Sequence, residues 1–210
     1  MGRIRKPLFF LAKKAMLGIM CSFSILFFTA GCFSLKSRGS YEKPVEHIFT
    51  VNADVAGWQD SGVRVKQNQV ISCHAEGKWG NYFETYGPDG TTENIKTHHG
   101  VSAPAYTLLM RVSSDTNLVW IIGKGTSVVA KTTSGNLFFR SNISLTNGLH
   151  GSVKVYFSVA DDDDGDGLSN YEEIYIWKTN PNSVDTNGNG FSDYEEVMER
   201  KRLMGLLESP

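Results

Sequence analysis

Val153-Lys154-Val155-Tyr156-Phe157-Ser158-Val159 decides the fold class. Successive side chains of an extended chain point to opposite faces, so Val153, Val155, Phe157 and Val159 share one side and Lys154, Tyr156 and Ser158 the other. One face is apolar and the other wet, as in a strand packed against a core on one side only. Short runs of the same character precede it: Ile48–Val51, Val63–Val65, Val70–Ala75, Leu108–Val112, Leu118–Ile122, Ser127–Ala130 and Leu137–Phe139. They are rich in β-branched and aromatic residues and are separated by Gly, Asn, Asp and Ser. Helical periodicity is absent across this region. The spacing predicts a mainly β fold, an antiparallel β-sandwich over residues 47–160, and about 114 residues suffice for one domain with its own core.

Inside that body the chemistry is sparse. Trp58 and Trp79 have the chemistry to stack on sugar faces but read first as core residues, and Cys73, set in an alternating run, reads as a small buried hydrophobe with no activating neighbour. Gly123-Lys124-Gly125-Thr126 lacks the spacing of a phosphate-binding loop and reads as a tight turn. Neither an H-E-x-x-H nor a G-x-S-x-G motif occurs, so the chain is read as a binding or structural protein rather than an enzyme.

Immediately after the strand the vocabulary changes. Asp162, Asp164 and Asp166 alternate ahead of Gly167, followed by Leu168, Ser169, Asn170, Tyr171, Glu172 and Glu173. Twenty-three residues on, Asp185, Asn187 and Asn189 alternate ahead of Gly190, followed by Phe191, Ser192, Asp193, Tyr194, Glu195 and Glu196. Both copies place oxygen-bearing side chains at loop positions 1, 3, 5 and 9, Gly at 6 and Glu at 12. A hard cation explains the spacing, because Ca²⁺ takes roughly 6–8 oxygen ligands and a loop of about twelve residues wraps it. The candidate ligands are Asp162, Asp164, Asp166, the Leu168 carbonyl, Asn170 and Glu173, then Asp185, Asn187, Asn189, the Phe191 carbonyl, Asp193 and Glu196. Mg²⁺, with shorter bonds and stricter octahedral geometry, fits such a loop less well. A merely solvated acidic run has no reason to keep Gly in phase twice. Helices are expected over Tyr171–Trp177 and Tyr194–Met204, the first stopped near Pro181.

This D-x-[DN]-x-[DN]-G-[LF]-S-[DN]-x-x-E pattern over residues 161–200 resembles the thrombospondin type 3-like calcium repeats of bacterial surface proteins, with Thr179-Asn180-Pro181 as the turn between copies. EF-hands fit less well, since Ser169 and Ser192 stand where they carry an aliphatic residue and no helix enters the first loop.

The sandwich region carries a resemblance of its own. Trp58-Gln59-Asp60-Ser61-Gly62-Val63, Asn68-Gln69-Val70-Ile71, Ala75-Glu76-Gly77-Lys78-Trp79 and Gly87-Pro88-Asp89-Gly90 are followed by Leu108-Leu109-Met110-Arg111-Val112, Leu137-Phe138-Phe139-Arg140 and Gly151-Ser152-Val153-Lys154-Val155. Together they resemble the PA-IL-like family, calcium-dependent galactose-binding lectins with a β-sandwich fold. The resemblance implies a carbohydrate ligand, and His98 and His99 lie near where that family has a sugar-contacting His. The chain departs from the family at the loop that holds the sugar-bridging calcium. Ser141–His150 contains no carboxylate, and its neutral donors Asn142, Thr146 and Asn147 predict weak binding, since affinity follows ligand charge.

At the start, Arg3, Arg5, Lys6, Lys13 and Lys14 precede an apolar run from Ala15 to Ala30, too short for a span of about 20 residues and right for a secretory signal. Ala30-Gly31-Cys32 resembles the lipobox of bacterial lipoproteins, although Thr29 stands where an aliphatic residue is usual. The resemblance implies lipidation of Cys32 after removal of residues 1–31, and Phe33 as second residue implies transfer to the outer membrane. Residues 32–46 read as a flexible tether and residues 201–210 as a tail. Cys73 is then left without a disulfide partner.

The mature chain has 16 Lys and Arg against 22 Asp and Glu, a charge of −6. Residues 161–210 carry −9 of it and residues 32–160 carry +3. That asymmetry marks an acidic module and argues against nucleic-acid binding. Two functions follow as expectations: a membrane-anchored, calcium-binding module that recognises carbohydrate or a cell-envelope ligand, or a structural, adhesive lipoprotein whose repeats rigidify it or dock a partner. Replacing Cys32→Ser is expected to release the protein from membranes or leave an uncleaved precursor, with incorporation of labelled palmitate into the wild type as the measurement.

Overall fold

The structure, a computed structural model, describes residues 41–92, 94–96, 101–113, 118–131, 134–143 and 147–206. These form eleven strands: β1 (Glu46–Asn52), β2 (Gln59–Val65), β3 (Gln69–Gly80), β4 (Thr85–Tyr86), β5 (Asn94–Lys96), β6 (Ser102–Pro104), β7 (Leu108–Val112), β8 (Val119–Ile121), β9 (Gly125–Val129), β10 (Gly135–Ser141) and β11 (His150–Asp161). One sheet runs β1-β11-β3, with β9 and β4 sharing the far edge of β3. The other runs β2-β10-β7-β8, and β5 and β6 make a separate ribbon. All the pairs are antiparallel.

The alternating stretch Val153–Val159 lies within β11, which pairs with β3 over twelve residues, from His150 opposite Gly80 to Asp161 opposite Gln69. Two glycines allow a close crossing within this ladder. Gly77 and Gly151 have φ of +121° and +86°, and a Cβ on either would meet a backbone carbonyl oxygen at 2.6 or 2.3 Å. Only glycine holds that backbone without strain or clash.

The core forms where the inward faces meet. Val153, Val155 and Phe157 of β11, with Ile71, Cys73, Ala75 and Trp79 of β3, pack against Leu108, Met110 and Val112 of β7 and Leu137 and Phe139 of β10. Phe157 and Phe139 join the two sheets, with ring centroids 5.4 Å apart and planes tilted by 56°. Such pairs contribute about 0.5–1.5 kcal/mol beyond the area they bury. Cys73 behaves as expected of a small hydrophobe: burial pushes its thiol up to about 12, and Sγ lies 3.9 Å from Met110 Sδ.

The two tryptophans divide. Trp79 is fully buried and its indole N–H donates to the Tyr106 carbonyl at 2.7 Å. Trp58 is a correction to the core expectation, since it is half-buried on the outer face of the second sheet. The register explains it: Gln59 pairs with inward-facing Phe139, so the preceding residue points the other way. The short strands β4, β5 and β6 were not anticipated, because two or three residues are too few to display a period.

Beyond β11, Glu172–Trp177 is a single π-helical turn rather than an α-helix, and it ends at Lys178, where φ is +65°. Helix α1 (Asp193–Leu203) opens with a capping box. Glu195 N–H donates to Ser192 Oγ at 3.2 Å and Ser192 N–H to Glu195 Oε2 at 2.8 Å. Acidic residues in its first turn and basic ones in its last complement the helix dipole.

Candidate metal centre

The β3–β11 ladder runs straight into the first loop. Gln69 Nε2 donates to Asp161 Oδ1 at 2.8 Å, and the Asp162 N–H to the Asn68 carbonyl at 3.1 Å. Asp162 is thereby carried to the end of the sheet and fully buried. Its carboxylate organises the turn, accepting from Gly165 N–H at 2.7 Å and Gly167 N–H at 3.1 Å. One oxygen each of Asp162, Asp164 and Asp166 come within 4.8 Å of one another.

Glu173 closes the loop from the π-helical turn. It is fully buried, its Oε1 accepts from Thr179 Oγ1 at 3.3 Å, and its Oε2 has no hydrogen-bond partner. Asp164 Oδ2 is likewise buried without a partner. Buried carboxylate oxygens are costly unless satisfied, so two orphaned acceptors beside Asp162 and Asp166 fit a hard cation. The electrostatics agree in direction. Burial, then the charges of Asp164 and Asp166, push Glu173 up to about 8. Burial pushes Asp162 up to about 6 against the two backbone N–H groups that favour its charge, and burial also raises Asp166.

Asn170, the loop's position 9, is buried and uses Oδ1 to accept from Asp163 N–H at 2.9 Å. Asp193, its counterpart in the second loop, accepts from Thr186 N–H at 3.1 Å and Thr186 Oγ1 at 2.7 Å. Both therefore tie the loop to itself. The Leu168 side chain is buried, whereas Phe191 is 62% exposed.

The second loop has the same spelling and a different environment. Asp185 is half-buried and accepts from Gly190, Gly188 and Asn189 N–H groups, which hold its carboxyl below the usual range. Glu196 accepts from Asn187 Nδ2 at 3.0 Å and Asn189 Nδ2 at 2.6 Å, so in this arrangement its carboxylate is already satisfied. The first loop gathers the carboxylates of Asp162, Asp164 and Asp166, with buried Glu173 feeling their charge, and the second offers Asp185 and Glu196 with two amides.

The loops are joined by a contact that ligand spacing does not reveal. Asp166 Oδ2 accepts from the Tyr194 N–H at 2.9 Å, in the first turn of α1, and the Tyr194 ring lies over Gly167, where a Cβ would come within 3.1 Å of it. The sequence did hold a signal, since Tyr recurs in phase at Tyr171 and Tyr194 without a ligand role.

At the other end of the sandwich, Asn142 is 2% exposed and its side-chain amide donates to the Ala103 and Pro104 carbonyls at 3.0 and 2.9 Å. That use staples the loop before β7. Asn147 is exposed. Thr146, His98, His99 and Cys32 lie outside the described residues.

The fold and site together define an antiparallel β-sandwich that delivers an acidic repeat at the end of its longest ladder. Residues 162–184 match a family model described as the bacterial TSP3 repeat, which covers the first loop, the π-helical turn and the approach to the second loop. Among solved structures the chain is similar to the EclA N-terminal domain, a PllA-like lectin, at 17% identity and a TM-score of 0.43, over 55% of this chain and 97% of that one. No curated protein matches the sequence.

The raised carboxyls set a pH dependence. A group whose folded pKa lies above its unfolded value stabilises the fold when protonated, and that contribution is lost as pH rises through about 6 for Asp162 and about 8 for Glu173. In chelator, the midpoint of thermal unfolding is therefore expected to fall between pH 5 and pH 8.5. Glu173→Gln, which cannot ionise, is expected to raise the midpoint at pH 8.5 by about 4 °C or more. Thermal melts of both proteins across that range check the expectation.

Proposed function

We propose that this chain is a membrane-anchored, calcium-dependent binding protein of the bacterial envelope. Calcium is bound chiefly by the first loop, through Asp162, Asp164, Asp166, Glu173 and the Leu168 carbonyl. One observation carries this reading: oxygens of Asp162, Asp164 and Asp166 gather within 4.8 Å of one another, and Asp164 and the nearby Glu173 each keep a buried oxygen that no protein group satisfies. The second loop binds more weakly, because Glu196 must leave two amide donors before it reaches a cation. The lipid anchor rests on the signal and on Cys32, and the short tether to Glu46 sets the sandwich off the membrane surface.

For the sandwich we read recognition of a carbohydrate, resting on the sequence resemblance to PA-IL-like lectins. A second reading is that the sandwich is a spacer with no sugar site, and the role of Asn142 in holding backbone favours it. In neither reading is the protein an enzyme.

Calorimetry with Ca²⁺ on the full chain tests the cation assignment. Glu173→Gln is expected to weaken the tightest site by at least about a hundredfold, since a bidentate carboxylate is lost, and Glu196→Gln to leave that site within about threefold. Equal losses in the two variants would sink the ranking of the loops. A glycan array probed with the full chain in Ca²⁺ and in chelator separates the two readings of the sandwich. Binding to any neutral glycan supports the lectin, and a blank array in both conditions leaves the spacer.

A further inference from the structure

The outer face of the second sheet holds a cluster that neither the cation loops nor the core uses. Arg111 of β7 stands opposite Phe138 of β10, and Arg140 of β10 stands opposite Leu109 of β7, so the two arginines are diagonal neighbours on one face. Trp58 lies over both. Its ring centroid is 4.8 Å from the guanidinium carbon of Arg111 and 5.6 Å from that of Arg140. Phe138 lies 5.6 Å from the same Arg111 carbon, and Leu109 on this face is 1% exposed.

Two guanidiniums at such close quarters repel, and burial together with the charge of Arg111 lowers the pKa of Arg140. A carboxylate would be the ordinary answer. Among the described residues the ion pairs are Lys124 with Asp89 and Arg202 with Glu199, and no carboxylate pairs with Arg111 or Arg140. Asp60, on the neighbouring strand β2, is engaged by Gly62 N–H at 2.8 Å and Asn136 Nδ2 at 3.0 Å.

The donors are unequally spent. Arg140 gives Nε to the Ser141 carbonyl at 3.1 Å and one Nη to the Ile143 carbonyl at 2.7 Å, which holds it in place. Arg111 is held by two aromatic rings alone, and its Nε is buried with no acceptor. A cation–π clamp that fastens Trp58 to the sheet accounts for one arginine on the ring. It does not account for a second guanidinium brought to the same ring, nor for a planar fork left with its donors unspent beside it. A charged oxygen acceptor satisfies the donors and cancels the repulsion together.

We infer that Arg111 and Arg140, positioned by Trp58 and Phe138, form a binding site for an oxyanion, a carboxylate or sulfate group free in solution or borne by a saccharide. The two-point guanidinium fork recognises such groups more strongly than a point charge does. Both arginines are half-buried, so their outer edges remain reachable from solvent. The site lies on the flat of the sheet rather than in the loop Ser141–His150, and it is independent of the cation reading of the repeats. The charge of +3 on residues 32–160, against −9 on the tail, favours approach of an anion to this part of the molecule.

The test is a titration of the ¹⁵N-labelled full chain with sodium sulfate, sodium glucuronate and sodium acetate, against sodium chloride at matched ionic strength. The Arg111 Nε–H and Trp58 indole resonances are expected to shift saturably with at least one of the three and not with chloride. Arg111→Lys, which keeps the charge and loses the fork, is expected to weaken binding by about tenfold or more. The indole resonance of core Trp79 reports whether each variant is folded, and the wild-type titration decides the matter for any variant that is not. Glucuronate binding tighter than acetate supports the site and places the anion on a sugar; equal affinities support it and place recognition in the oxyanion alone. The absence of any saturable shift beyond chloride overturns it. So does an affinity that is unchanged in both Arg111→Lys and Arg140→Lys, which leaves a cation–π clamp.

Discussion

The pairing of β3 with β11 is the constraint on which the remainder of the molecule depends. Twelve consecutive residue pairs put β11 between β1 and β3, and its inward side chains supply the wall against which Phe139, Leu137 and Met110 pack. The same ladder determines where chemistry begins. It ends with Asp161 opposite Gln69, and the next residue, Asp162, is the first acid of the loop. The ladder fixes the backbone direction in which the loop begins, and its first carboxylate is fully buried, accepting from the loop's own Gly165 and Gly167 N–H groups.

That placement separates two loops with nearly identical spelling. In the first, burial and mutual repulsion raise the cost of keeping Asp162, Asp166 and Glu173 ionised. A cation bound there would offset this cost, so that its binding free energy would become folding free energy. In the second, Asp185 is stabilised by backbone N–H groups, and two asparagine amides bind Glu196. Asn187 and Asn189, where the first loop has Asp, reduce repulsion and supply donors at once, so the last carboxylate of the second loop is satisfied within the protein. The Asp166–Tyr194 contact then ties the start of α1 to the first loop, so the arrangement of the repeats follows from a site next to the sandwich.

Charge is partitioned along the chain in the same sense. The tail gathers carboxylates in its first loop, while the sandwich carries its excess of basic residues partly as a pair of arginines on Trp58. Asn142 shows how a polar residue in a binding-type loop is drawn into structure, since its amide is consumed by the Ala103 and Pro104 carbonyls. The two ends and the outer face of the sandwich thus differ in the chemistry they offer.

Sequence by itself determined the elements that have a period and the spaced pattern of oxygen-bearing side chains. Val153–Val159 showed strand and inward face because side-chain direction alternates with every residue, and most of the longer strands lie where such runs fall. The doubled D-x-[DN]-x-[DN]-G pattern predicted a cation loop because alternation and a glycine turn are local requirements. Tertiary structure alone decided what depends on partners distant in the chain. The side on which Trp58 lies follows from the pairing of Gln59 with Phe139, and β4 to β6 exist only because neighbours pair with them. The inequality of the two loops was decided in the same way. Burial of Asp162 depends on Asn68 and the end of the ladder, and Asp166 depends on Tyr194, 28 residues away. Local pattern specifies which atoms are offered; the dielectric and the neighbours that determine whether those atoms need a cation are properties of the assembled fold.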